Sequence, residues 1–225
     1  MIKKITNITC KAGVMTLALL MTFTAVEPAV SFGASAQSQF TISQTTTTEI
    51  SFSTFASNVT LSPSLGGITG GTANGQTQVA VLTNNTTGYN MTIQASTSLG
   101  MQGVASSTNY IPAYSTTTPD YTFVIPANTA RFGYSVNATT SSDVVQLFRN
   151  NGSICNQSGG SATTGNCWFG ATTTSVTIIN RATATPGTGA TTTLSFRVGI
   201  AANPIPAIPN DTYVATSTLT ATTNP

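Results

Sequence analysis

Apolar and polar residues alternate with a period of two along most of this chain, and the cleanest alternations predict its strands. Leu194, Phe196, Val198 and Ile200 interleave with Thr193, Ser195, Arg197 and Gly199, the pattern of a strand with one buried face. Phe196 is therefore expected inside and Arg197 outside. The same period places Val79 and Val81 on one face of Thr77 to Thr83, and Tyr89, Met91, Ile93 and Ala95 on one face of Tyr89 to Ser96. It continues through Tyr121 to Pro126, through Phe132, Tyr134 and Val136, and through Val176 and Ile178. In the closing run from Thr212 to Thr222, Tyr213, Ala215, Ser217, Leu219 and Ala221 share a face. Near the start, Phe40 and Ile42 and then Ile50 and Phe52 alternate across a Thr run, and Asn58 to Ser62 reads as a short strand closed by Pro63. Threonine is β-branched, so its abundance favours extended backbone.

Turn chemistry separates these runs. Asn84-Asn85-Thr86-Thr87-Gly88 predicts a hairpin between its flanking strands, because Asn and Gly accept positive φ. The glycines from Gly66 to Gly75 read as turns; a phosphate loop would carry a Lys and open a helix, and neither follows. Leu99 to Pro119 predicts a long surface excursion. One segment breaks the period of two. Val144, Leu147 and Phe148 fall at i, i+3 and i+4, with Ser141, Ser142 and Asp143 before them and Arg149, Asn151 and Gly152 after. That spacing predicts a short helix near 142–150, its start suited to a serine cap and its end to a left-handed stop. The expected fold is all-β: an antiparallel two-sheet β-sandwich, Ig-like or pilin-like, with that one short helix and a disulfide loop.

Composition adds an address. Lys3, Lys4 and Lys11 precede an apolar run from Ala12 to Val26, and Ala34-Ser35-Ala36 fits signal peptidase. The expectation is a signal peptide over residues 1–36, cleavage between Ala36 and Gln37, and a single domain over 37–225 with no membrane span. Cys155 and Cys167 would then be the two cysteines left in an oxidising compartment. A disulfide is the expected state, two free thiols the alternative.

Cleavage also removes every lysine, leaving Arg131, Arg149, Arg181 and Arg197 against Glu49, Asp120, Asp143 and Asp211. A neutral chain with scattered arginines lacks the positive field that nucleic acid or an anionic lipid surface requires. There is no His, and no Lys beyond residue 11, so the usual proton carriers and Schiff-base nucleophiles are missing. Two of the four carboxylates pairing as in a glycosidase is the residual enzymatic reading. Asp120 and Asp211 with backbone oxygens form the residual calcium reading, and no cofactor is expected. The Asn-x-Ser/Thr sequons, such as those at Asn58, Asn84 and Asn137, are what a Thr-rich chain produces by chance.

The hairpin Thr83 to Ile93, the Phe132-Gly133-Tyr134 strand, the Cys155 to Cys167-Trp168 stretch and the closing Pro209-x-x-x-Tyr213 strand resemble a group of uncharacterised secreted β-sandwich proteins from uncultured bacterial lineages. More distantly, the closing strand is similar to those of spore-coat-protein-U-like, pilin-like and WxL-type surface proteins. The resemblance implies an extracytoplasmic surface protein.

Two functions fit these observations. The first is a non-enzymatic structural or adhesive protein that pairs with itself or with other surface proteins through strand edges and Thr-rich faces. The expected edges are Phe40 to Gln44 and Thr212 to Thr222, and Pro at Thr216 or Thr218 is expected to break the pairing. The second is a small carbohydrate-binding module that stacks glycans on Trp168, Tyr110 and Tyr114. A core role for Trp168, packed on the disulfide, competes with that use.

Overall fold

In a computed structural model of the chain, residues 38–115 and 117–225 are described. The chain divides into two units, Met1–Thr45 and Thr46–Pro225. In the first, residues 38–45 form no regular element, and Phe40 and Ile42 are 81% and 84% exposed. The strand expected from Phe40 to Gln44 is not formed. Alternation equips a segment to lie on an apolar face, but a strand also needs a ladder partner, and none joins this segment among the described residues. The cleavage site expected at Ala34, Ala36 and Gln37 lies outside the described residues.

The second unit is an antiparallel β-sandwich. Its strands are β1 (Ile50–Thr54), β2 (Gly71–Thr83), β3 (Tyr89–Ala95), β4 (Met101–Gly103), β5 (Tyr110–Ile111), β6 (Ala130–Ala138), β7 (Phe169–Gly170), β8 (Val176–Arg181), β9 (Ala190–Ile200), β10 (Tyr213–Val214) and β11 (Ser217–Thr223). One layer is a five-stranded sheet in the order β1-β2-β9-β6-β7. The opposing layer consists of two smaller sheets, β11-β3-β8 and β10-β4-β5. Strand β9 is the spine, paired with β2 from Gly71↔Ile200 to Val81↔Ala190 and with β6 from Ala130↔Ile200 to Ala138↔Thr192. The main core lies between Val79, Val81, Tyr134, Val136 and Leu194 on one side and Tyr89, Met91, Ile93, Ile178 and Ile179 on the other. A second cluster joins Phe132, Val198 and Ile200 to Ala95 and Ile111.

Several local expectations change once partners are visible. Strands β2 and β3 are not a hairpin, because they belong to different layers. The Asn84 to Gly88 connection is an arch over the end of the sandwich, and Val81 and Met91 enter the same core cluster from the two layers. Gly88 has φ +80, and a Cβ there would stand 2.0 Å from the carbonyl oxygen of Arg181, so the arch requires glycine. Asn224 stitches the far end of β11 to this arch. Its N–H donates to Gly88 O, its side-chain amide donates to Thr87 O and Arg181 O, and it accepts from Asn85, Asn90 and Thr87.

The helix expected near 142–150 is instead two 3-10 turns, Ser141–Asp143 and Gln146–Phe148, interrupted by extended Val144 and Val145. Paired β-branched residues favour that extension, which lets Val144 bridge Ile179 and Val145 N–H donate to Ile178 O. The serine cap is absent at Thr140 and Val145, where the turns begin. Ser141 Oγ instead accepts from Ala162 N–H. Tyr121 to Pro126 keeps its alternating burial but joins no ladder, and the Asn58 to Ser62 segment reduces to a single bridge, Ser62↔Asn74. The Leu99 to Pro119 excursion contains β4 and β5, which pair with each other, and β4 also pairs with β10. The closing run is likewise two strands, β10 and β11, each in its own sheet.

Candidate functional site

Cys155 and Cys167 form a disulfide, with Cα atoms 5.6 Å apart, buried beside Phe148 and Phe169. Phe148, Tyr134 and Phe169 pack on one another with ring centroids 5.8 to 6.2 Å apart. The segment rich in chemistry-bearing residues is therefore a plug in the core. Arg149 ties it together by donating to Val144 O and Ser142 O, while Arg181 and Asp143 form an ion pair at 2.6 Å.

Trp168 is 1% exposed and offers no ring to a sugar. It sits on the outer face of the five-stranded sheet, where the Arg197 guanidinium lies 4.4 Å from its ring centroid and Phe123 packs edge-on at 5.3 Å. Burial lowers the pKa of Arg197, and its Nε donates to Asn74 Oδ1 at 2.6 Å. Arg197 thus covers an aromatic patch where open solvent was expected. Tyr114 is buried too: it stacks on Phe123 at 4.5 Å and donates to Asp120 Oδ2 at 2.7 Å. Burial first, and then that hydrogen bond, push its phenol up to about 12. Of the three proposed stacking residues only Tyr110 is open, at 46%. It edges an open cleft of about 590 Å³ that also presents Asp120, Arg131 and Pro126.

Three of the four carboxylates among the described residues, all but the exposed Glu49, are engaged by the fold. Asp143 holds Arg181, and Asp120 accepts from Tyr114. Asp211 accepts from the backbone N–H groups of Ala105, Ser106 and Thr212. The Ala105 N–H is the main reason its pKa lies below the ordinary aspartate value. Among the described residues no three His, Cys, Asp or Glu side chains gather as a metal site, and no helix is long and apolar enough to cross a membrane.

The least satisfied feature is the edge formed by β10 and β11. Thr212 O accepts from Val104 N–H, Thr216 O from Ser96 N–H, and Asn224 N–H donates to Gly88 O. Hydrogen-bonded pairs alternate in antiparallel ladders, so the even-numbered residues of this run bond inward. Ser217, Leu219 and Ala221 then turn their N–H and C=O groups outward, and among the described residues no ladder takes them up. Strand β1 approaches β11 without pairing to it. Below the edge, between Ala56 to Leu61 and β10–β11, a groove of about 540 Å³ reaches the core residues Ile93, Phe132 and Leu194. No charged residue lines it. The sequence signal for this edge was present in the uncharged run from Thr212 to Pro225, whereas nothing in the sequence disclosed the groove. No protein-family model matches the chain, and no curated protein matches it.

Proposed function

We propose that this is an exported, non-enzymatic surface or extracellular structural protein that associates through the open β10–β11 edge. The observation that carries the reading is the outward row of backbone groups at Ser217, Leu219 and Ala221 above an uncharged groove that reaches the core. Monomeric proteins blunt such edges with Lys, Pro or inward charge, and β11 has none of these. Strand addition supplies main-chain hydrogen bonds for affinity and side-chain pockets for register. The buried disulfide is compatible with an oxidising compartment.

The register decides where to test it. Thr216 and Thr218 bond inward, so Pro at either position would damage the ladder with β3; Ser217 is the residue whose donor faces out. Ser217→Pro should leave the melting curve nearly unchanged and abolish concentration-dependent association in sedimentation velocity. Association equal to wild type would exclude docking at this edge. The carbohydrate reading is supported by Tyr110 beside Asp120 and Arg131. Retention on a polysaccharide column that Tyr110→Ala removes would favour it.

A further inference from the structure

We infer that the occupant of this groove is residues 38–44 of a second copy of the same chain, added to β11 as an extra strand. The inference rests on the edge-pairing reading above and names its partner. Ser38-Gln39-Phe40-Thr41-Ile42-Ser43-Gln44 carries a complete strand pattern that pairs with no strand among the described residues: Phe40 and Ile42 fall on one face, Gln39, Thr41 and Ser43 on the other. Both apolar side chains are more than four-fifths exposed in irregular backbone. An added strand would set Phe40 and Ile42 two residues apart on one face, the spacing at which Ser217 and Leu219 offer outward backbone groups.

Chemistry and reach agree. Neither the segment from Ser38 to Thr48 nor the groove lining contains a charged residue, so docking would strand no unpaired charge. The 12 residues from Ser38 to Glu49 precede β1 and span roughly 40 Å when extended, ample for bridging to a neighbouring molecule. Among the described residues, each copy offers this segment and the open β11 edge. The contact is therefore between unlike surfaces, and it propagates into chains of subunits unless it closes into a ring.

Two variants of the exported protein test this by complementation, with thermal melts confirming that each is folded. Phe40→Asp combined with Ile42→Asp disables the inserted segment but leaves the edge; Ser217→Pro disables the edge but leaves the segment. Wild type should form species larger than a dimer as its concentration rises. Each variant alone should stay monomeric, and an equimolar mixture should give a dimer and nothing larger in sedimentation velocity. If the variant carrying Phe40→Asp and Ile42→Asp assembles like wild type, the 38–44 segment is not the occupant, although the edge reading stands. If Ser217→Pro assembles like wild type, the edge reading itself fails. A mixture that stays monomeric overturns donation between copies.

Discussion

The three-stranded sheet β11-β3-β8 has two edges, and they are treated in opposite ways. Along β8, Val144 and Val145 lie extended against Ile178 and Ile179, pinned by the disulfide, by the Asp143–Arg181 ion pair and by the Phe148 aromatic cluster. Along the outer side of β11, among the described residues, β1 comes near but no strand pairs, and a groove opens toward the core. A protein that needed both edges covered had the means to do so, since one cover strip is present. Under the proposed reading the bare edge is the working surface, and the cysteine-bearing segment covers the other side.

The largest effect should come from loosening that lid. Phe148→Ala removes a fully buried ring and should cost about 3–5 kcal/mol in denaturant unfolding. Replacing Cys155 and Cys167 by Ala should cost about 2–3 kcal/mol through loop entropy. That variant should also self-associate in a way that Ser217→Pro does not suppress, because the β8 edge would then be bare. Arg197→Ala should cost about 1–2 kcal/mol by losing its stacking on Trp168 and its bond to Asn74, with a shift in Trp168 fluorescence. An effect near zero would mean that the outer aromatic patch needs no cover. Phe196 stacks on Phe132 at 6.3 Å, so Phe196→Asp should still be worse than Arg197→Asp, but by less than a purely solvent-facing Arg197 implies.

The smallest effect is alkaline. Tyr89, on β3 beside the Asp143–Arg181 pair, is pushed up to about 12, chiefly by burial and next by the Asp143 charge. Unfolded tyrosines ionise near pH 10, so the unfolded chain releases its proton first. The stabilisation is complete below about pH 10 and is lost as pH rises through about 12. Tyr114 adds in the same sense. A denaturant midpoint that stays flat from pH 9 to 12 would contradict this.

The sequence showed which residues face inward far better than it showed what they face. The alternations at Leu194 to Ile200 and at Phe132 to Val136 each became a long strand, because β9 and β6 are central strands with partners on both sides. Val79, Val81, Tyr89 and Met91 also read correctly as buried. Yet identical patterns on β2 and β3 are produced by neighbours in one sheet and by strands facing each other across a core, and here the second holds. The i, i+3, i+4 spacing of Val144, Leu147 and Phe148 described a buried stripe, but two adjacent valines made extension against β8 the better use of it. Trp168 and Arg197 illustrate a further limit: the outer face of a sheet reads as solvent until an irregular segment such as Tyr121 to Pro126 is seen to cover it.

Asn224 bears on how the open edge moves. The ends of edge strands normally fray, and frayed amides exchange with solvent at nearly the rate of a free peptide. Here the residue after β11 is bonded at its N–H, its carbonyl and both side-chain atoms to the arch and to β8. The inward amides of β11 should therefore exchange only when the sandwich itself opens, while the outward amides of Ser217, Leu219 and Ala221 exchange fast. A strand that is solvated along one side and immobile along the other is a fixed template, so a partner that adds to it orders only itself.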